Sequence, residues 1–305
     1  MFPPATRHLL ITADDFGIGP DTSRGILELA ARGAVTSTVL LVTSPYAEES
    51  VRMWNRAGRP LELGWHPCLT LDAPLLPPAE VPSLVGPDGR FPKLGGLLKR
   101  LVLGRVREAE IEAEFHAQLR RFVELVGFLP ANVNAHHHIH IFRPVGDALA
   151  RVLRDWRPFV RRVVEPLWTL WRVPGARLKR AFLTRFGRRS ARRQAAAGLP
   201  GNEALVGVTD PEWVRDPRFF TRWLRAAPGR FVELCCHPGR LDFTLHGRDG
   251  TLSDGQLHRR LHEFEQLADA GFLTAARNAG FEPVTAAELV GQMAGETGMG
   301  SKRAG

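Results

Sequence analysis

Residues 134–140 read NAHHHIH, so four of the chain's eleven histidines (His136, His137, His138 and His140) fall within five consecutive positions. The flanks are apolar, Val133 on one side and Ile141–Phe142 on the other, which is not the setting of a solvated histidine tract. On an extended strand His136, His138 and His140 would share one face. Three imidazoles aimed into one interior space are costly unless a metal, a substrate or a carboxylate pairs with them. Carboxylates are at hand. Asp14 and Asp15 are adjacent at the end of an apolar run, where the turn at Phe16–Gly17 can direct both into one cavity. Two carboxylates so close repel each other unless a cation intervenes, so one is expected to ligate a metal while the other stays free as a base.

His66, in GWHPCLT, and His237, in ELCCHPGR, also fall where strand-like runs end. Imidazole with carboxylate suits zinc, iron, nickel or cobalt, and two histidines with one aspartate leave positions open for water. Hydrolytic and oxygenase metals share such a facial site; in the hydrolytic case water is activated, a carboxylate takes its proton, and a second acid protonates a leaving amine. His237 is placed for that last role. Each group alone also has an ordinary structural use, the DD pair as turn or helix-cap chemistry and a single histidine as a satisfied core residue. It is their joint occurrence at strand ends that points to a site.

What must position them is an alternation of strands and helices. Apolar, β-branched runs at 7–15, 35–43, 61–71, 132–142, 159–166, 204–210 and 230–238 read as seven strands. Amphipathic patterns at 23–33, 47–58, 107–127, 145–156, 211–226 and 254–279 read as the helices between them. That alternation predicts an α/β fold, a distorted (β/α) barrel with about seven parallel strands and its active site at their C-terminal ends. No GxGxxG or Walker loop follows any strand, which argues against a nucleotide-binding doubly wound sheet. A single domain over 1–290 is expected, with a basic insertion at about 167–198 and an unstructured tail at 291–305.

The net charge of +9 has a local origin, because Arg172 to Arg193 holds nine Lys or Arg and no acid. With Trp168, Trp171, Phe182 and Phe186 among those charges, the segment is either a solvated helical face or a contact for an anionic membrane surface. Nucleic acid is the weaker expectation, since no nucleic-acid module is recognisable. Cys68, Cys235 and Cys236 form no CxxC pair and no even disulfide set, and they read as small core residues. No basic-then-apolar leader opens the chain and no run is long enough to span a bilayer, so a cytoplasmic protein is expected, peripheral to the membrane if the basic segment binds lipid.

TADDFG, VTST, GWHPCLT, NAHHHIH with its following phenylalanine, and ELCCHPG, in this order from about Leu9 to Leu289, resemble the YdjC-like family of carbohydrate deacetylases. The resemblance implies a barrel related to polysaccharide deacetylases and a divalent metal, magnesium or zinc. It implies Asp15, His66 and His136 as metal ligands, Asp14 as catalytic base and His237 as general acid. Arg161 resembles a strand-end arginine that orients the base or binds substrate, and His138 and His140 are expected to orient or contact the sugar. The implied substrate is an N-acetylated amino sugar, either chitooligosaccharide-like or lipid-linked such as a hopanoid glycoside, and a homodimer is a candidate assembly. Asn134 departs from the aspartate often found two residues before the triple histidine in the chitooligosaccharide branch, and the basic segment has no counterpart in that branch's shorter enzymes. A phosphoesterase on the same barrel and a catalytically silent sugar-binding protein are the rival expectations.

Overall fold

The computed structural model describes residues 6–245 and 255–301. Its elements run β1 (Arg7–Phe16), α1 (Pro20–Ala31), β2 (Ser37–Leu40), α2 (Ala47–Arg56), β3 (Glu62–Trp65), α3 (Leu94–Val102), α4 (Glu108–Val126), β4 (Asn132–Val133), α5 (Arg143–Val152) and β5 (Phe159–Val160). Then follow α6 (Thr169–Arg172), α7 (Arg177–Ala196), β6 (Ala204–Val206), α8 (Phe219–Ala226), β7 (Phe231–Cys236), α9 (Gln256–Ala268), α10 (Ala270–Asn278), β8 (Phe281–Val284) and α11 (Ala286–Ser301).

All strand pairs are parallel, in the order β5-β4-β3-β2-β1-β7-β6. β1 is the spine. HLLITADD is almost wholly apolar up to its two acids, and every residue from His8 to Phe16 is buried, as a strand covered on both faces requires. One flank of β1 pairs with β7, and the other pairs first with β8 (Arg7–Leu10) and then with β2 from Thr12 onward. β8 is the eighth strand, where seven were expected. The path ends at β5 and β6, which do not pair directly; β5 is bonded to the segment before β6, from Val160 N to Pro200 O (2.8 Å), and β6 to the segment after β5, from Leu205 N to Val164 O (2.8 Å). The result is a distorted α/β barrel.

Several boundaries differ from the sequence expectation, and each has a local cause. The fourth strand is only Asn132–Val133. His136–Ile141 forms tight 3-10 turns, with His137 and His138 both at left-handed φ (54° and 55°), so the histidine run is not extended. β3 and β4 can approach only because position 64 is glycine; a Cβ there would lie 1.3 Å from Asn132 Oδ1. The pattern at 254–279 divides into α9 and α10 where Asp269 caps α10, its side chain accepting from Gly271 N. The tail expected from 291 continues α11 as far as Ser301, and 302–305 lie outside the described residues. The basic segment is built into the barrel. α7 buries Arg180, Thr184, Gly187, Ser190 and Gln194, and a Cβ on Gly187 would lie 1.8 Å from Val163 O. Among the described residues no helix is long and apolar enough to cross a membrane.

Candidate metal centre and active site

The C-terminal end of β1 delivers both aspartates to one place by a backbone device. The register of β1 against β2 slips between Ala13 and Phe16, and Asp15 takes a left-handed φ of 68°. In a regular strand Asp14 and Asp15 would point to opposite faces. The bulge turns both side chains into the same cavity, about 380 Å³ in volume, which His66, His136, His137, His138 and His237 also line. Asp is among the few non-glycine residues that tolerate this conformation, and such strain gathers at functional sites.

Three buried groups meet there: Asp15, His66 and His136. Asp15 Oδ1 lies 3.0 Å from His136 Nδ1 and 3.2 Å from His66 Nε2, and those two nitrogens are 3.3 Å apart. Ligand bonds of about 2.1 Å at angles between the octahedral and tetrahedral values would place donor atoms about 3.0–3.4 Å apart. The triangle therefore has the dimensions of a face of a metal's coordination shell. The surroundings agree. His66 Nδ1 donates to Asn134 O (2.6 Å), which leaves Nε2 with its lone pair toward the triangle. Arg260 from α9 donates to the other Asp15 oxygen (2.6 Å). Burial works against the Asp15 charge, but Arg260 and then His136 outweigh it and hold the carboxyl well below the usual range.

Asp14 belongs to a second network. Arg161 Nη1 and Nη2 grip its two oxygens (2.6 and 2.8 Å), while Arg161 Nε donates to Glu233 Oε1 (2.9 Å). Thr12 Oγ1 donates to the same Glu233 oxygen (2.9 Å), Asn134 Nδ2 reaches Asp14 Oδ1 (3.4 Å), and Cys235 Sγ reaches Asp14 Oδ2 (3.3 Å). Desolvation pushes the Asp14 carboxyl up; the guanidinium more than reverses that and leaves it depressed. For Glu233 burial prevails over Arg161, and its carboxyl is raised.

His237, at the exit of β7, approaches Asp14 Oδ2 through Nε2 (3.9 Å). Arg259 Nη2 donates to His237 Nδ1 (3.2 Å) and is itself held by Glu263 Oε1 (2.7 Å). An Nδ1 that accepts fixes the neutral tautomer with its proton on Nε2, facing the cavity. Desolvation first and Arg259 second bring the imidazole down to about 4.

Two sequence expectations narrow in the structure. Arg161 was expected to orient the base or to bind substrate; it is completely buried behind Asp14 and does not line the cavity, which counts against the second alternative. His140 was expected to orient or contact the sugar. It is completely buried, accepts from Ala135 N at Nδ1 (3.3 Å) and donates to Arg161 O from Nε2 (3.1 Å), so its ring joins two backbone segments. The physical reason is the turn at His137–His138, which rotates His140 away from His136. By the same turn His137, expected on the far face, lines the cavity beside His136 and His138. Cys68, Cys235 and Cys236 are buried and free, as expected of core residues.

Arg259 and Arg260 were not singled out from sequence. The available signal was two adjacent arginines on the buried side of an otherwise amphipathic helix, with Glu263 one turn on. The apolar half of the cavity, Leu94 and Leu98 of α3 with Phe182 and Leu183 of α7, Phe142 and Val208, was likewise not foreseen.

A family model described as YdjC-like protein matches residues 8–278. A carbohydrate deacetylase of Geobacillus stearothermophilus is 30% identical over 287 residues, covering 93% of this chain and 98% of that protein. A chitooligosaccharide deacetylase of Klebsiella pneumoniae (strain 342) is 27% identical over 278 residues, covering 90% and 96%. The crystal structure of an Enterococcus faecalis V583 protein superposes with a TM-score of 0.72 at 24% identity, over 93% of this chain and 99% of that one, and shares the fold.

Proposed function

The chain belongs to the YdjC-like family, and on that premise we propose that it is a metal-dependent hydrolase that removes the acetyl group from an N-acetylated amino sugar. The observation that carries this reading is the Asp15–His66–His136 triangle, with the charged carboxylate of Asp14 and the neutral imidazole of His237 lining the same cavity. Two nitrogens and one oxygen make a donor set suited to zinc or a similar transition ion better than to magnesium, which favours all-oxygen shells. A divalent cation held by these three residues would supply Lewis acidity, polarising the amide carbonyl and making water a better nucleophile at neutral pH.

The remaining steps fall to side chains. Asp14, kept ionised by Arg161, takes a proton from the attacking water as oxygen bonds to the carbonyl carbon. The proton that Asp14 has gained passes to the amide nitrogen as the C–N bond breaks, so acetate departs, the amine stays on the sugar and Asp14 is again ionised. His237, whose Nε2 lies 3.9 Å from Asp14 Oδ2, directs its N–H at the same reacting group and donates a hydrogen bond to it. His138 lines the cavity and fits a sugar contact, while Arg161 acts through Asp14 as a positioning residue. The apolar wall of Leu94, Leu98, Phe142 and Phe182 favours an amino sugar with an apolar aglycone over a free chitooligosaccharide.

The test pairs metal analysis with acetate release from N-acetylated oligosaccharides and glycolipids. Wild-type protein is expected to hold stoichiometric metal and release acetate. Asp14→Asn should keep the metal and lose about a hundred- to ten-thousand-fold in rate. Loss of metal in Asp14→Asn, or phosphate release from esters without acetate release from any amide, would overturn this assignment.

A further inference from the structure

Apart from Arg177, whose guanidinium lies over Trp171, the charged side chains of α7 divide into two sets. Those turned toward the protein are each matched by an acid: Lys179 with Asp210 (3.8 Å), Arg180 with the buried Glu165, and Arg193 with Asp147 (3.1 Å). Arg185, Arg188, Arg189 and Arg192 are all exposed, and none makes an ion pair with a described residue. Their spacing of i, i+3, i+4 and i+7 places the four on one face of the helix, where with Leu167, Ala181 and Thr184 they line a groove of about 310 Å³. Like charges one turn apart repel, so the stripe costs stability unless an anion lies against it.

Large apolar side chains sit in the open beside the stripe. Leu178 of α7 is 89% exposed, Trp171 of α6 77% and Leu167 56%. Guanidiniums stack on both tryptophans of the segment, Arg172 over Trp168 at 5.0 Å and Arg177 over Trp171 at 5.7 Å. Tryptophan and leucine mixed with unpaired arginine is a poor surface for bulk water and a good one for the headgroup region of a bilayer. Nucleic acid would use the arginines but leave Leu178 and Leu167 unaccounted for.

We propose that the outer face of α7, with the exposed tip formed by Leu167, Trp171 and Leu178, docks the protein on an anionic phospholipid surface. The arginines engage lipid phosphates and the apolar tip enters the interface. The same helix sends Lys179, Phe182 and Leu183 into the active-site cavity, so docking sets the cavity mouth beside the leaflet. If the deacetylase reading holds, the substrate is an amino sugar presented at that surface, its aglycone remaining in the lipid. The docking itself does not depend on that reading.

The experiment is co-sedimentation of the full chain with vesicles of phosphatidylcholine alone and with about 30% phosphatidylglycerol added. Binding is expected only to the anionic vesicles and should fall as salt is raised above about 0.1 M. Each arginine near the surface is worth about fivefold in partitioning, so Arg188→Gln with Arg192→Gln should lower it about 25-fold. Trp171→Ser with Leu178→Ser should weaken binding at high salt more than at low salt. None of these residues lines the catalytic cavity, and acetate release from a soluble N-acetylated oligosaccharide should be unchanged in every variant. Equal binding to neutral and anionic vesicles, undiminished binding by the arginine variant, or binding to a DNA duplex but not to vesicles would each overturn the proposal. Vesicle binding by a protein that releases no acetate from any substrate would instead count against the deacetylase reading alone.

Discussion

Replacing Arg161 by methionine should produce a stability defect that depends on pH, and the structure fixes its sign. Arg161 is the only cation hydrogen-bonded to Asp14 or Glu233 among the described residues, and all three side chains are buried. Removing one partner of a buried ion pair costs about 3–5 kcal/mol, because a charge is left without compensation. Here two carboxylates are stranded together. In the wild type the Asp14 carboxyl is depressed, so its contribution is fully present above the unfolded value near 3.9 and is lost only in stronger acid. Between pH 5 and 8 that contribution is flat. In Arg161→Met burial outweighs what remains to oppose it, the Thr12 hydrogen bond to Glu233 and the nearby imidazoles His66 and His237 at Asp14, and the folded state retains a proton that the unfolded chain has already released. Stability then falls with rising pH by about 1.4 kcal/mol per unit for each retained proton, or about 4 kcal/mol from pH 5 to 8. Urea unfolding of both proteins at the two pH values measures the difference, and processes common to both, such as protonation of the metal ligands, cancel. A deficit of about 3–5 kcal/mol at pH 8 that shrinks to about 1 kcal/mol at pH 5 is expected. Adding Glu233→Gln should recover part of the loss and flatten the slope. An equal deficit at both pH values would show that Arg161 acts by packing alone and that Asp14 is not held charged by it.

Two further outcomes follow from the same geometry. His140→Phe removes both ring hydrogen bonds and leaves the Arg161 carbonyl and the Ala135 amide to find other partners. It should cost about 1–3 kcal/mol in urea unfolding while KM for any substrate stays put, whereas a raised KM would restore His140 as a sugar contact. Arg259→Met removes the donor at His237 Nδ1 and one of the charges that depress the ring, so the imidazole should titrate above its present value of about 4. A histidine side-chain NMR titration reads this directly, and an unmoved midpoint would mean that burial alone sets it.

How much of this was legible beforehand depends on what each residue's position rests on. Asp14, Asp15, His66, His136 and His237 stand at strand exits, and strand exits are visible in sequence because an apolar run stops abruptly at a polar residue. Four such stops, one of them shared by both aspartates, implied one rim. What the pattern could not carry was backbone handedness. A strand period assigns alternate residues to opposite faces, and it fails wherever a residue adopts positive φ. That happens at Asp15, where a bulge one residue ahead of the expected Phe16–Gly17 turn brings both aspartates into the cavity, and at His137 and His138, where it removes His140 and admits His137. None of the three is glycine, the residue that marks such a turn most plainly. Arg259 and Arg260 escaped for a different reason. A guanidinium buried against a carboxylate distant in sequence, as Arg260 is against Asp15, has the same local signature as a solvated helix residue. α7 contains both kinds in one acid-free segment, and only the three-dimensional pairing of Lys179, Arg180 and Arg193 separates charges that hold the fold from four that are left facing outward. The net charge of the segment therefore overstated what is available to a partner, and the unpaired remainder is the quantity that a binding measurement on α7 should track.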